Sequence, residues 1–349
     1  MRLPLLASLL LTAGLGLGCA EASAPLPAAE EVLLLVHSSN GSLSLIHVNT
    51  PTVVTPIPLG GTSPNPTSVS ALGGYAVVPL GDDDQVAVVN LRSATVARSI
   101  PLAANSGATG AAMVDDSIAY VANPNLNTVT RINYLTGDTA SVEVGQTPRA
   151  VVFTRGKVFV VNANLDPSGD PFGPSWVSVV DPETNRLATG VDSILLPGPG
   201  NGISGDVAQD GVIYIMNAGD GSTDSRLSLV DPVGREELGN FKGFGAGAGA
   251  VVDNGGSRLY LSSLTQGLMV FDLINRQVLR GAGNAIPIAD NSGVAVDGEG
   301  RIYALERGPC TGGSTGRLHI LRRNFTESRA VDVPECPVAA LVTEIPPQQ

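Results

Sequence analysis

Tyr120-Val-Ala-Asn123, Thr128-Val-Thr-Arg-Ile-Asn133, Thr139-Ala-Ser-Val-Glu-Val144 and Pro148-Arg-Ala-Val-Val-Phe153 follow one another with only short turns between them. Each is rich in β-branched or aromatic residues and too short for a globular helix. Asn, Gly and Pro punctuate the gaps and break any helical period. The order reads as the second, third and outer strands of one unit, then the first strand of the next.

The same order recurs along the chain. Leu34-Leu-Val-His, Tyr75-Ala-Val-Val, Tyr120-Val-Ala-Asn, Phe159-Val-Val-Asn, Tyr214-Ile-Met-Asn, Tyr260-Leu-Ser-Ser and Tyr303-Ala-Leu-Glu mark seven units, at intervals of 41, 45, 39, 55, 46 and 43 residues. Four antiparallel strands per ~40–45 residues is the signature of a propeller blade. The expectation is an all-β, seven-bladed β-propeller over residues 31–349. The first unit lacks its own inner strand. Pro337-Val-Ala-Ala-Leu-Val-Thr343 matches Pro148-Arg-Ala-Val-Val-Phe-Thr154 in character, so the C-terminal strand is expected to complete the first blade and remove the open sheet edges.

Tyr120-Val-Ala-Asn, Phe159-Val-Val-Asn, Gly137, Val144-Gly145 and Pro148 resemble the Tyr-Val-Thr-Asn (YVTN) repeat propellers of secreted and cell-surface proteins in bacteria and archaea. The resemblance spans most of residues 31–343 and is strongest in units three and four. It implies a propeller on an envelope or secreted protein. Related propellers bind proteins or glycans, and a few are lactonases or quinone- or metal-dependent oxidoreductases. Such a fold does not fix a ligand.

The N-terminus reads as an address. Residues 1–18 carry one Arg before a leucine-rich run ending in small residues, the pattern of a cleaved export signal. Gly18-Cys19 resembles the lipobox of bacterial lipoproteins, which makes Cys19 the lipidation site and 19–30 a tether. Ala20 after the Cys favours the outer membrane in that resemblance; a periplasmic or secreted protein is the alternative. The membrane is expected as a partner through the lipid anchor only. Cys310 and Cys336 remain as either two reduced buried thiols or a disulfide. An oxidising compartment favours the pair, whose loop of about 26 residues would contribute ~3 kcal/mol.

The 349 residues include 20 basic and 32 acidic side chains, a formal charge of −12, and 14 aromatic ones. A nucleic-acid footprint is not expected from such a balance. Three histidines, His37, His47 and His319, are too few and too scattered for a zinc centre. Gly312-Gly-Ser-Thr-Gly316 matches a nucleophile-elbow pattern but joins two strands, where the elbow needs a strand-to-helix turn.

Two loop types reach the ligand-facing end of a propeller: those between second and third strands, and those between blades. The first set holds Asp82, Asp83, Asp84, Asp166, Asp170, Asp220, Asp224 and Glu306. The second holds Asn65, Asn105, Arg149, Asn201 and Asn291. A negatively charged rim around amide-lined entrances is the expectation, with bound Ca²⁺ as one use of so much oxygen. The competing expectation is that Asp and Asn simply start turns. An insertion in unit four, Ala163–Ser175, adds Phe172 next to Trp176 as a candidate aromatic contact. Together these features point to a non-enzymatic binding or scaffold module for a protein or glycan in the cell envelope. A metal-dependent lactonase-like hydrolase at the channel mouth is the alternative.

Overall fold

The computed structural model describes residues 28–347, apart from 53, 223–224, 246–248 and 253–255. The export-signal reading, Cys19 and most of the tether lie outside the described residues, as does Asp224. Seven antiparallel sheets form a closed ring, each running from an inner strand outward. The inner strands of blades 1 to 7 are Pro337–Ile345, Ser70–Leu72, Ala111–Met113, Pro148–Thr154, Gly202–Val207, Gly249–Val252 and Asn291–Val296. In blade 4 the outer position is shared by two short strands, Arg186–Leu187 and Ser193–Leu196, both paired with Ser175–Asp181.

The C-terminal strand closes the ring as the sequence indicated. Pro337–Ile345 lies antiparallel to Glu30–His37, with Val32 opposite Thr343 and Leu34 opposite Leu341. A disulfide joins Cys310 to Cys336, immediately before that strand. Ser38 reinforces the junction from the other side. Its amide donates to the Cys336 carbonyl at 3.1 Å and its hydroxyl to Cys336 Sγ at 3.2 Å.

Alternating strands bury one face toward each neighbouring blade, so the core is not one mass but seven layers. Each layer joins two adjacent sheets. Tyr120, Phe159, Tyr214, Tyr260 and Tyr303 occupy equivalent buried positions in these layers. Blade 2 departs from the frame its sequence suggested. Counting back from the turn after the third strand, Tyr120 faces Arg131 and Tyr214 faces Leu229, while the matching partner in blade 2, Val88, faces Val77. The aromatic position of that blade is therefore taken by Val77, and Tyr75 sits two residues upstream against Tyr134, ring centroids 5.9 Å apart. A two-residue slip leaves strand alternation unchanged, so the pattern alone cannot register it.

A second repeated device fastens the second strand to the third. Asn123 Nδ2 donates to Thr130 Oγ1 at 2.8 Å, Asn162 Nδ2 to Ser178 Oγ at 2.9 Å, and Asn217 Nδ2 to Ser228 Oγ at 3.1 Å. Blades 1 and 7 use His37 with Ser44 and Glu306 with His319 in the same places. Blade 2 has Leu80 and Ala87 there, both fully buried.

Candidate functional site

The end of the ring that carries the loops between blades is built from a recurring backbone device. The residue just before the inner strand adopts a left-handed conformation in four blades: Cys336 (φ 53°), Thr147 (φ 53°), Asn201 (φ 55°) and Asp290 (φ 44°). Its carbonyl accepts the amide that follows the second strand, from Ser38, Ala163, Ala218 and Arg307 respectively, at 2.9–3.1 Å. Two residues later the pairing slips. The register shifts at Pro148/Ala150, Gly202/Ser204 and Asn291/Gly293, and His37 and Val36 face Pro337 and Ala339. A bulged residue without a cross-strand partner is left in each: Val338, Arg149, Ile203 and Ser292. Bulges re-aim side chains, and all four of these residues line the central cavity, of about 470 Å³.

Hydroxyl groups tie the neighbouring inner strands together at this mouth. Ser68 Oγ donates to the Thr109 carbonyl at 2.5 Å, Thr109 Oγ1 to the Arg149 carbonyl at 3.1 Å, and Ser292 Oγ to the Pro337 carbonyl at 2.5 Å. The backbone around Arg149 is further fixed by Thr147. Left-handed backbone costs a β-branched residue ~1–3 kcal/mol. Its amide is held by Asn127 Oδ1 at 2.9 Å and its hydroxyl donates to the Leu165 carbonyl at 3.3 Å. Desolvation pulls the Arg149 guanidinium below its ordinary pKa, and it stays cationic. It shares the cavity wall with one carboxylate, Asp206.

Four acids of the predicted rim, Asp83, Asp84, Asp166 and Asp220, are turn caps. Asp83 Oδ1 accepts from the Thr62 amide and hydroxyl at 3.2 and 2.9 Å and from the Ser63 amide at 3.1 Å. Asp84 accepts from the Asn105 and Ser106 amides at 2.7 and 2.6 Å and the Ser106 hydroxyl at 2.9 Å. Desolvation raises the Asp84 pKa, but these bonds and the Gly107 amide outweigh it and hold the carboxyl below its usual range. Asp166 caps the Ser168 and Asp170 amides, and Asp220 caps Ser222. Asp82 is exposed and, among the described residues, accepts only a long bond from Asn65, at 3.5 Å. Glu306 is not a free rim acid. It bonds His319 Nε2 at 2.8 Å, and His319 Nδ1 meets Glu327 at 2.6 Å. The opposite face is acidic as well, with Asp115, Asp231 and Asp272 capping its turns in the same way.

The amides scatter too. Asn105 and Asn201 serve left-handed turns, and Asn291 is wholly buried at the start of blade 7's inner strand. Among the described residues, no three of His, Cys, Asp and Glu stand where they would hold one metal ion. Among the described residues, the carboxylates expected for Ca²⁺ therefore do not converge on one point.

The blade 4 insertion is an ordered hairpin. Leu165 bridges Pro171, Asp166 N donates to the Asp170 carbonyl at 2.9 Å, and Phe172 N to the Asn164 carbonyl at 2.8 Å. Asn164 Nδ2 closes its base on the Pro174 carbonyl at 2.9 Å. Phe172 is 77% exposed at the hairpin's base, opposite Asn164. Trp176 behaves differently, packing over Gly145. A Cβ at Gly145 would lie 2.5 Å from the indole, so only glycine admits this approach. Leu195, 60% exposed, pairs directly with Trp176.

The bulged positions were not recognised in the sequence, although Arg149 itself was singled out. No protein-family model matches the chain, and no curated protein matches it in sequence. In fold it is similar to a solved chain of hydrazine synthase from Kuenenia stuttgartiensis, with a TM-score of 0.66 and 14% identity over 82% of this chain and 97% of that one. At that identity the likeness establishes the architecture: the chain is a seven-bladed β-propeller.

Proposed function

We propose that this propeller is a non-enzymatic binding module of the bacterial cell envelope, exported, anchored through a lipidated Cys19, and engaging a protein or glycan with its loop-bearing face. The observation that carries the reading is Phe172. A hairpin with its own hydrogen-bond frame holds a large aromatic ring in water, 77% exposed. Exposed aromatics on rigid loops supply contact area at low entropic cost. Leu195, paired with Trp176 in the same blade, is a second exposed apolar side chain. The acidic residues set the charge of this face more than its contacts, since Asp83, Asp84, Asp166 and Asp220 already hold turns.

The disulfide supports an oxidising compartment. Kinship with the YVTN propellers is part of the same proposal. The strand-end Asn clasps and the Gly145–Trp176 approach give physical reasons for marks shared with that family.

Photo-crosslinking tests the reading. A photoreactive residue at position 172, in the envelope of a bacterium expressing the full chain, is expected to trap a discrete partner. The same residue at Ile274, 76% exposed on the opposite face, is expected to trap none. Equal products from both positions, or none from 172, would overturn the proposal.

A further inference from the structure

The charge at the channel mouth has no structural employment. Among the described residues, no hydrogen bond or ion pair engages the Arg149 guanidinium, although its carbonyl is held by Thr109 and its flanks by Thr147. The side chain is nonetheless partly withdrawn from water, which costs free energy that a surface arginine does not incur. The other bulged positions carry neutral residues, Val338, Ile203 and Ser292.

Two features narrow what would meet this charge. First, the site supplies a single positive charge. The nearby hydroxyls of Ser68, Thr109 and Ser292 already donate to backbone carbonyls. The carboxylate on the wall, Asp206, lies three residues further along blade 5's inner strand than bulged Ile203, about 10 Å down the axis. A phosphate dianion would leave half its charge uncompensated, whereas a carboxylate matches the planar fork of one guanidinium. Second, the wall below the bulges is mixed. Val69, Met113, Val152 and Leu341 give it apolar surface beside the polar Ser70, Ser204 and Asp206, and the cavity of about 470 Å³ has the size of a small-molecule site.

We propose that the channel binds a small monocarboxylate with an aliphatic body, its carboxylate paired with Arg149 and its chain lying against the apolar residues of the wall. This site is separate from the Phe172 surface and stands or falls independently of it.

Calorimetric titration of the purified mature protein with acetate, butyrate and hexanoate, and with hexanamide and inorganic phosphate, tests the assignment. Affinity is expected to rise with chain length among the carboxylates. Hexanoate is expected to bind ~10–100-fold more tightly than hexanamide. Arg149→Gln is expected to abolish that preference while leaving the ligand-free melting temperature unchanged. Arg149→Lys, which keeps the charge without the fork, is expected to fall between, and serves if the Gln variant does not fold. Phe172→Ser is expected to bind hexanoate as the wild type does. Equal binding of hexanoate and hexanamide, an unaltered Arg149→Gln variant, phosphate binding above every carboxylate, or no carboxylate binding up to about 10 mM would each overturn the proposal.

Discussion

Asp83 and Asp84 are adjacent in one turn yet hold opposite neighbours: Asp83 grips Thr62 and Ser63 ahead of blade 2, and Asp84 grips Asn105 and Ser106 behind it. A single turn thereby clasps both inter-blade loops. Asp84→Asn is expected to lower unfolding free energy by about 1 kcal/mol at pH 7, since charged acceptors make the stronger bonds. The folded-state pKa of Asp84 is depressed, so its contribution is present above the unfolded value and is lost as pH falls through the folded one. Urea unfolding at pH 7 and pH 3 should therefore show the gap between wild type and variant closing in acid.

His37 loses its contribution over a higher stretch of the pH scale. Burial pushes its pKa down to about 4, against bonds to the Glu335 and Pro334 backbone that raise it. The imidazole folds neutral, while the unfolded chain takes up a proton near the ordinary value of 6.5. Stability is therefore full above that value and declines as pH falls toward about 4, by as much as about 3 kcal/mol. Since His37 contacts Glu335 beside the closing strand, the loss should appear there first. Hydrogen exchange at pH 7.5 and 5, each corrected for the intrinsic rate at that pH, is expected to show lower protection of residues 338–345 at pH 5. Unchanged protection would contradict the assignment.

The disulfide fastens the one blade assembled from both ends of the chain. Replacing Cys310 and Cys336 together by Ser is expected to cost ~3 kcal/mol by the loop-entropy argument. The same loss should follow reduction of the wild type, and denaturant melts with and without reductant measure both.

Blade 2 shows how the Asn clasp can be replaced. Leu80 and Ala87 fill the positions that Asn162 and Ser178 fill in blade 4. Asn162→Leu alone strands the Ser178 hydroxyl in a buried site and is expected to cost ~1–3 kcal/mol. Adding Ser178→Ala should recover much of that loss, a coupling that a double-mutant cycle reads directly.

The proposed lipidation has its own readout. Cys19→Ala is expected to move the protein from the membrane fraction to the soluble one in a bacterial host, while the wild type incorporates labelled palmitate. Labelling that survives the substitution would remove the anchor from the proposal.

The blades were legible because their signals are local: alternation within a strand and Asn, Asp or Gly at its ends. The tail's role could be read because Pro337–Thr343 repeats the character of Pro148–Thr154. What escaped had physical reasons. The slip from Val77 to Tyr75 preserves the two-residue period. The Asn clasps have no fixed sequence spacing, since the loop between their strands varies: Asn123 reaches Thr130, while Asn162 must reach across the insertion to Ser178. The rim acids stayed ambiguous because a turn cap and a ligand donor are the same residue type in the same kind of loop. Arg149 stood out as a candidate, but its bulge left no mark, because Pro-Arg-Ala reads as ordinary strand.

The repetition of the bulge has a consequence for specificity. Val338, Arg149, Ile203 and Ser292 are equivalent sockets on a circular scaffold, each set by backbone that does not depend on the side chain it carries. Exchanging Arg149 and Ile203 would rotate the charge one sector around the axis while the frame stayed in place. What the shaft accepts can thus be rewritten one socket at a time, with the toroid indifferent to the message.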